Sequence, residues 1–92
     1  MADDRISYKV LANVGVLAQY PTGWNKEANI VSWNGGAPKL DIRDWSADHE
    51  HMSRGITLTA DEAQRLVETV QSRDAVGLLM DMNKPSRDDY ER

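Results

Sequence analysis

The sequence predicts an α+β domain with the order ββββα, in which a four-stranded antiparallel sheet is followed by one C-terminal helix. Much of the first half alternates between apolar and polar residues with a period of two, which is typical of half-buried strands. The turn signal Asn34-Gly35-Gly36 indicates a β-hairpin, because Asn and Gly tolerate a positive φ. After Thr59 the apolar residues recur every three or four positions, as they do along an amphipathic helix.

The length of 92 residues corresponds to one domain, which we expect to comprise residues 1–82. The polar residues 83–92 are predicted to form a disordered tail. A domain of this size buries only about 60–65% of its unfolded surface, so its core is thin. The helix stripe is also longer than one short sheet can cover. We therefore expect a homodimer.

The first strand is predicted over residues 7–20, where the even positions from Tyr8 to Tyr20 are apolar or aromatic. This period of two predicts that one face of the strand is buried. The segment is long for a single strand. A bend or bulge is expected at Gly15, and it would curve the sheet.

A turn at residues 21–23 leads into the second strand, predicted from about Trp24 to Trp33. Its alternation is ambiguous, because Lys26 shares a face with Ile30 whereas Trp33 falls on the other face. A bulge at residues 27–29 would resolve the pattern.

The third strand is predicted from Pro38 to about Ser46 and has two chemically different faces. Leu40 and Ile42 point one way and are expected to build the core. The opposite face carries Lys39, Asp41, Arg43 and Trp45. A face of cations and an indole is suited to a flat, anionic ligand.

A charged loop at residues 47–54 precedes a short fourth strand, Gly55 to Leu58. Thr59 and Glu62 form a predicted capping box at the start of the helix. A kink or break is expected at residues 72–74, which are weak helix formers. The apolar stripe must cover the sheet or a second copy of the chain.

The formal net charge of −4 argues, taken alone, against a nucleic-acid partner. The negative charge is concentrated in residues 55–82, where two arginines oppose five acidic residues. Residues 23–46 carry three cations and three acidic residues. The sheet is therefore neutral as a whole, and one of its faces can still be locally positive.

The composition limits the cellular compartments and the kinds of site that are expected for this chain. There is no cysteine, so disulfides and thiolate metal sites are excluded, which fits the cytoplasm. No apolar run is long enough to span a membrane, and the N-terminus lacks the order of a signal peptide. We expect a cytoplasmic protein with no membrane partner.

The run Asp48-His49-Glu50-His51 invites a metal-site interpretation, but it lacks the helical histidine spacing of zinc hydrolases. A metal-dependent hydrolase built on Asp48, His49 and His51 is therefore a minor alternative. No nucleophile elbow or phosphate-binding glycine loop is present. We expect no enzymatic activity, no cofactor and no small-molecule substrate.

Three stretches, GWNKEANIVSWN, PKLDIRDWSADHEHM and RGITLTADE, carry a resemblance to a known family. They resemble the bacterial YdbC-like proteins, small members of the superfamily of the transcriptional coactivator called positive cofactor four. The similarity covers residues 6–72, and its stretches DIR-x-W and GITL-x-x-x-E are specific only together. It implies a curved four-stranded sheet with one helix, dimerisation, binding of single-stranded DNA and some RNA on the sheet, and no known catalytic activity.

The resemblance also implies DNA contacts at individual residues. These are Arg43 and Trp45 in DIR-x-W, Arg54 before the Gly-Ile-x-Leu match, and Trp24 and Lys26 in the GW-x-K match. Lys39 joins them because it shares a predicted strand face with Arg43. The alternatives are that the tryptophans are half-buried sheet residues, that the cations are merely solvated, and that Arg43 pairs with Asp41 or Asp44.

The leading hypothesis is therefore a sequence-tolerant binder of single-stranded DNA, with RNA as a second candidate, in transcription regulation or DNA maintenance. Bases would stack on Trp24 and Trp45 while the cations meet phosphates. The alternative is a protein-interaction module that uses the acidic helix, with the sheet tryptophans anchoring a protein partner.

Overall fold

The computed structural model describes residues 6–84, so most of the predicted tail lies outside the described residues. Its elements are β1 (Tyr8–Gln19), β2 (Asn25–Trp33), β3 (Lys39–Trp45), β4 (Met52–Leu58), α1 (Ala60–Ser72) and α2 (Ala75–Asn83). The strands form one antiparallel sheet in the order β1-β2-β3-β4. The predicted α+β class and strand order are confirmed. The helical segment contains two helices instead of the predicted one.

The β2–β3 hairpin turns where the sequence predicts. Asn34 and Gly35 have φ values of 53° and 75°, and the Gly36 N–H donates to the Trp33 carbonyl over 2.8 Å. Two consecutive positive φ values match the twist of the flanking strands, which is why Asn-Gly is favoured there. The turn fixes the register between β2 and β3.

The bulges lie in β1 and not in β2. The pairing of β2 with β3 is unbroken from Asn25 opposite Trp45 to Val31 opposite Lys39, so the bulge considered at residues 27–29 is not present. Against β2, the β1 register shifts three times, and one shift adjoins Gly15 as expected. Bulges bend and twist an edge strand, and they interrupt the predicted alternation of β1.

The register defines two faces of the sheet, because directly opposed residues point the same way. One face carries Tyr8, Val10, Asn13, Glu27, Asn29, Val31, Trp33, Lys39, Asp41, Arg43 and Trp45. The other carries Lys26, Ala28, Ile30, Ser32, Leu40, Ile42, Asp44, Ile56 and Leu58.

The sheet curls towards the face that carries Tyr8 and Trp45. Tyr8 pairs opposite Trp33 at one end of β2, and Trp45 pairs opposite Asn25 at the other end. An extended strand places such residues roughly 26 Å apart, yet the Tyr8 and Trp45 ring centroids are 5.7 Å apart. We call this the concave face and the opposite one the convex face.

Most of the buried residues lie on the concave face, contrary to the prediction. Val31 and Trp45 are buried there, whereas on the convex face the small Ala28 is buried and Leu40 and Ile42 are only half-buried. The curl of the sheet closes the concave side upon its own side chains, and the convex side stays partly exposed. The parity of β3 was predicted correctly, but the buried side was not.

Helix α1 begins as the sequence predicts. Thr59 Oγ1 accepts from the Glu62 N–H over 3.2 Å, and Glu62 Oε1 accepts from the Thr59 N–H over 2.8 Å, which completes the capping box. The expected weak point becomes a full break. Asp74 adopts a left-handed φ of 49°, and its Oδ1 accepts from the Gly77 N–H over 3.2 Å, so a new helix begins.

Both helices leave their apolar faces uncovered. No residue of α1 or α2 is buried. The exposed apolar side chains are Leu66, Val67, Val76, Leu78, Leu79, Met80 and Met82. Within residues 6–84, neither helix is long and apolar enough to cross a membrane. The helical stripe is therefore not satisfied by the sheet of its own chain.

Candidate nucleic-acid interface

Asp41 is the centre of a polar cluster on the concave face. Its carboxylate is fully buried and receives two hydrogen bonds of 2.7 Å, from Nε and Nη2 of Arg43. The Trp33 Nε1–H donates to the same carboxylate over 3.2 Å. Arg43 can form this fork because residues two apart on a strand share a face. Asp41 thereby holds both Arg43 and Trp33 in place.

The Arg43 guanidinium is fully engaged within the chain. It lies over the Trp33 ring, 4.5 Å from the centroid, and Nη1 donates to the Ser53 carbonyl over 3.2 Å. Gly55 lies opposite Arg43 on β4, and a β-carbon there would clash with Arg43. The pairing with Asp41, an alternative that the sequence left open, is therefore observed. It neutralises the cation that was expected to meet phosphate.

A second polar chain crosses the same face. Asn13 Nδ2 donates to Asn29 Oδ1 over 2.8 Å, and Asn29 Nδ2 donates to Glu27 Oε1 over 3.2 Å. The other Glu27 oxygen lies 2.9 Å from His49 Nε2. Glu27 and Asn29 are buried, and such groups are stable only when they are hydrogen-bonded. The two carboxylates of the concave face thus each have partners.

Aromatic rings form a row across the concave face. Tyr8 lies against Trp33 with a centroid distance of 5.4 Å, and it also lies against Trp45. His49 stacks on Trp45 at 4.8 Å, with an interplanar angle of 10°. Tyr8 is exposed and Trp33 is half-buried, whereas Trp45 is only 1% exposed. The row therefore offers π faces to solvent at one end and is covered at the other.

The β3–β4 loop, residues 46–51, is closed by its own hydrogen bonds. Ser46 Oγ donates to Asp48 Oδ1 over 2.7 Å, and the Glu50 N–H donates to the same oxygen. These bonds, the first above all, lower the pKa of Asp48 below its ordinary value of 3.8. Asp48 thus stabilises a turn, and within residues 6–84 no three metal-ligating side chains converge.

Three of the predicted site residues, Lys39, Arg43 and Trp45, lie on the concave face together. Trp45 was expected to be free there, and it is instead part of the core, because the curl brings Tyr8 and His49 over its ring. Lys39 is exposed at the edge of this face.

The other three predicted residues do not join that group on the sheet. Lys26 pairs opposite Asp44 on the convex face, so a strand bound to the concave face would not meet it there. Trp24 lies just before β2 and is half-buried. Arg54 is exposed beside the irregularity where β4 shifts register against β3. Trp24 and Arg54 stand at the margins of the sheet.

Sequence reasoning missed three residues of the concave face, namely Tyr8, Trp33 and His49. The alternation of β1 places Tyr8 among the apolar positions, but it does not show that Tyr8 contacts Trp45 at the far end of the sheet. Trp33 shares parity with Val31, which pointed to the core. His49 lies in a loop, where alternation gives no information about position.

Residues 20–69 match the family described as Transcriptional Coactivator p15 (PC4), which is more than half of the chain. The chain belongs to the PC4 family. It is also similar to an "Uncharacterized protein" of Treponema pallidum (strain Nichols), with 39% identity over 72 residues, 78% of this chain and 85% of that relative. The family match ends within α1, so α2 lies beyond it.

Membership of the PC4 family suggests a single-stranded-DNA-binding domain of the coactivator type, since the domains of this family bind nucleic acid. The four-stranded antiparallel sheet with its C-terminal helices is consistent with this family. The narrower similarity to YdbC-like proteins stays a prediction.

Proposed function

We propose that this PC4-family chain binds single-stranded DNA on the concave face of its sheet, without strong sequence preference. The observation that carries the proposal is the aromatic row of Tyr8, Trp33 and Trp45, with the Arg43 guanidinium over Trp33. Bases stack on aromatic rings irrespective of sequence, because every base has a π face. Tyr8 and Trp33 are accessible enough to receive them.

The phosphates would meet cations that are not already paired. Lys39 and Arg54 are exposed, and neither makes an ion pair among residues 6–84. Arg43 is bound to Asp41, so its contribution is to hold the Trp33 ring rather than to meet phosphate. Binding therefore depends on stacking more than on charge, which suits a chain whose net charge is −4.

The working unit of the proposed function is a homodimer. The exposed apolar residues of α1 and α2 form a surface that one chain leaves in water. Covering this surface with a second copy would stabilise the dimer by about 25 cal/mol for each Å² of apolar surface that is buried. A dimer would then present two sheets, which could bind one DNA strand together or one strand each.

A fluorescence-anisotropy titration with labelled oligo-dT tests the proposal. We expect saturable binding at micromolar protein and low salt, weaker binding to the matching duplex, and a comparison with oligo-rU to rank DNA against RNA. Tyr8→Ala should weaken binding by about 5- to 150-fold, the range for one base stack. Tyr20→Ala, outside the aromatic row, is the matched control. Absence of any binding to single strands would refute the proposal.

A protein-interaction module is the second candidate, and the same exposed helix faces favour it. In that case the helices would bind a different protein, and the purified chain would stay monomeric. A monomer that fails to bind oligonucleotides would place this candidate first.

A further inference from the structure

His49 lies on Trp45 in the way that a nucleobase stacks on an aromatic side chain. The imidazole and the indole are stacked at 4.8 Å with planes 10° apart, which is the geometry of a base on an aromatic side chain. His49 Nε2 also lies 2.9 Å from Glu27 Oε2. A base has the same two features, a flat π face and a hydrogen-bond donor on its edge.

The imidazole of His49 lies at the surface, whereas the indole of Trp45 beneath it is held in place. The His49 side chain is 46% exposed, and its carboxylate partner Glu27 is 6% exposed. Glu27 is held by Asn29 and Trp45 is held within β3, so neither can move far. His49 can leave by a movement of the β3–β4 loop alone.

Two features of the closed loop favour its release. His49 adopts a left-handed φ of 62°, which is unfavourable for a residue with a β-carbon. The Trp45 Nε1–H is buried without a hydrogen-bond acceptor among the described residues, which is a rare and costly state for a buried donor. A bound strand could supply an acceptor once the loop has moved.

We propose that the β3–β4 loop, residues 46–51, is a displaceable plug, with His49 filling a nucleobase slot on Trp45 in the free protein. This inference rests on the proposed function. Binding of a strand replaces the imidazole by a base and transfers the hydrogen bond at Glu27 to the edge of that base. The apparent affinity of the protein is thereby the affinity of the open form multiplied by the fraction of free molecules whose loop is open.

The test compares His49→Ala with His51→Ala in the full-length chain. Both changes remove one imidazole from the same loop, but His51 is bonded to the loop through its backbone and not to Trp45. If at most about a tenth of the free protein is open, His49→Ala should bind oligo-dT at least about 10-fold more tightly. His51→Ala should bind as the parent does. Thermal melts monitored by circular dichroism confirm that each variant is folded.

A second measurement needs no DNA. Acrylamide should quench the tryptophan fluorescence of His49→Ala more strongly than that of the parent or of His51→Ala, because one face of Trp45 is uncovered. Equal or weaker oligo-dT binding by His49→Ala, while the parent binds, would overturn the plug and leave the proposed function intact. Failure of the parent and both variants to bind would overturn the proposed function, and the inference with it.

Discussion

The concave face of the sheet and the two helices differ in how far the chain itself covers them. On the concave face Val31, Asp41 and Trp45 are buried, and Glu27 and Asp41 each have hydrogen-bond partners. In α1 and α2 no residue is buried. The sheet is thus nearly complete within one chain, whereas the helices need a second surface.

Polar and aromatic side chains together close the concave side of this small sheet, whereas the aliphatic side chains of the convex side stay partly exposed. The apolar residues Leu40 and Ile42 lie on the convex side, which no layer fully covers. The concave side is closed by the fork of Asp41 and Arg43 and by the aromatic row. Stability of the sheet should therefore depend on the fork, and stability of the assembly on the helices.

The largest expected effect comes from a charge on the apolar helix face. Val67 is 54% exposed in one chain, and burying such a side chain contributes about 1.5–3 kcal/mol. In a symmetric dimer Val67→Asp removes this twice, about 3–6 kcal/mol, which weakens association roughly 10²- to 10⁴-fold. Light scattering should give about twice the 10.4 kDa chain mass for the parent and the chain mass for the variant.

Ser72→Asp is the control for the helix face, because it adds the same charge on the side of α1 that faces away from Leu66 and Val67, and it should stay dimeric. A monomeric parent would show that the helices do not pair with a second copy. The apolar faces of the helices would then have to be covered by a different protein.

The next effect concerns the fork on the concave face. Asp41→Ala leaves the Arg43 guanidinium buried without its partner, which typically costs 3–5 kcal/mol. For a domain of this size the melting temperature should fall by at least about 10 °C. Asp44→Ala is the matched control on the same strand and the other face. Its Oδ1 has no hydrogen-bond partner among residues 6–84, so its removal should cost much less, and equal losses would contradict the role given to the fork.

A smaller effect separates paired cations from free ones. Lys39 is exposed and unpaired among residues 6–84, so Lys39→Ala should lower the slope of log affinity against log salt by roughly 0.7 per bound site. Arg65→Ala on α1 removes an equal charge away from the sheet and should leave the slope unchanged. If the slope falls for Arg65→Ala and not for Lys39→Ala, the DNA binds to the helices and not to the sheet.

The smallest effect is the acid dependence of the β3–β4 loop. Hydrogen bonds lower the pKa of Asp48 below 3.8, so its carboxylate stabilises the folded state above that pH. The contribution is lost as the pH falls through the lowered folded value. The melting temperature of Asp48→Asn should therefore lie below that of the parent at pH 7, and the gap should close in acid. A gap that persists in acid would contradict the role given to Asp48.

Local signals in the sequence predicted the elements well. Asn34-Gly35 fixed the hairpin, Thr59 with Glu62 fixed the start of α1, and residues 72–74 marked the helix break. Each of these depends on contacts within a few residues. The parity of β3 is equally local, and it correctly placed Lys39, Arg43 and Trp45 on one face.

The choice of buried face could not be predicted, because it depends on the curl of the whole sheet. Alternation shows that Trp45 and Leu40 lie on opposite faces of the sheet, but it does not show which of the two faces is buried. The contact of Trp45 with Tyr8 joins residues far apart in sequence and at opposite ends of β2. His49 reached the site through a loop whose course no periodic pattern reports.

The most direct test of the central claim is an NMR titration of ¹⁵N-labelled protein with oligo-dT. The three tryptophan indole N–H signals report separate places, because Trp33 and Trp45 lie on the concave face and Trp24 lies before β2. We predict that the signals of Trp33 and Trp45 shift in a saturable manner, together with the backbone amides around Tyr8 and Lys39. Shifts confined to α1, α2 and the convex face, with the Trp33 and Trp45 signals unmoved, would contradict DNA binding on the concave face.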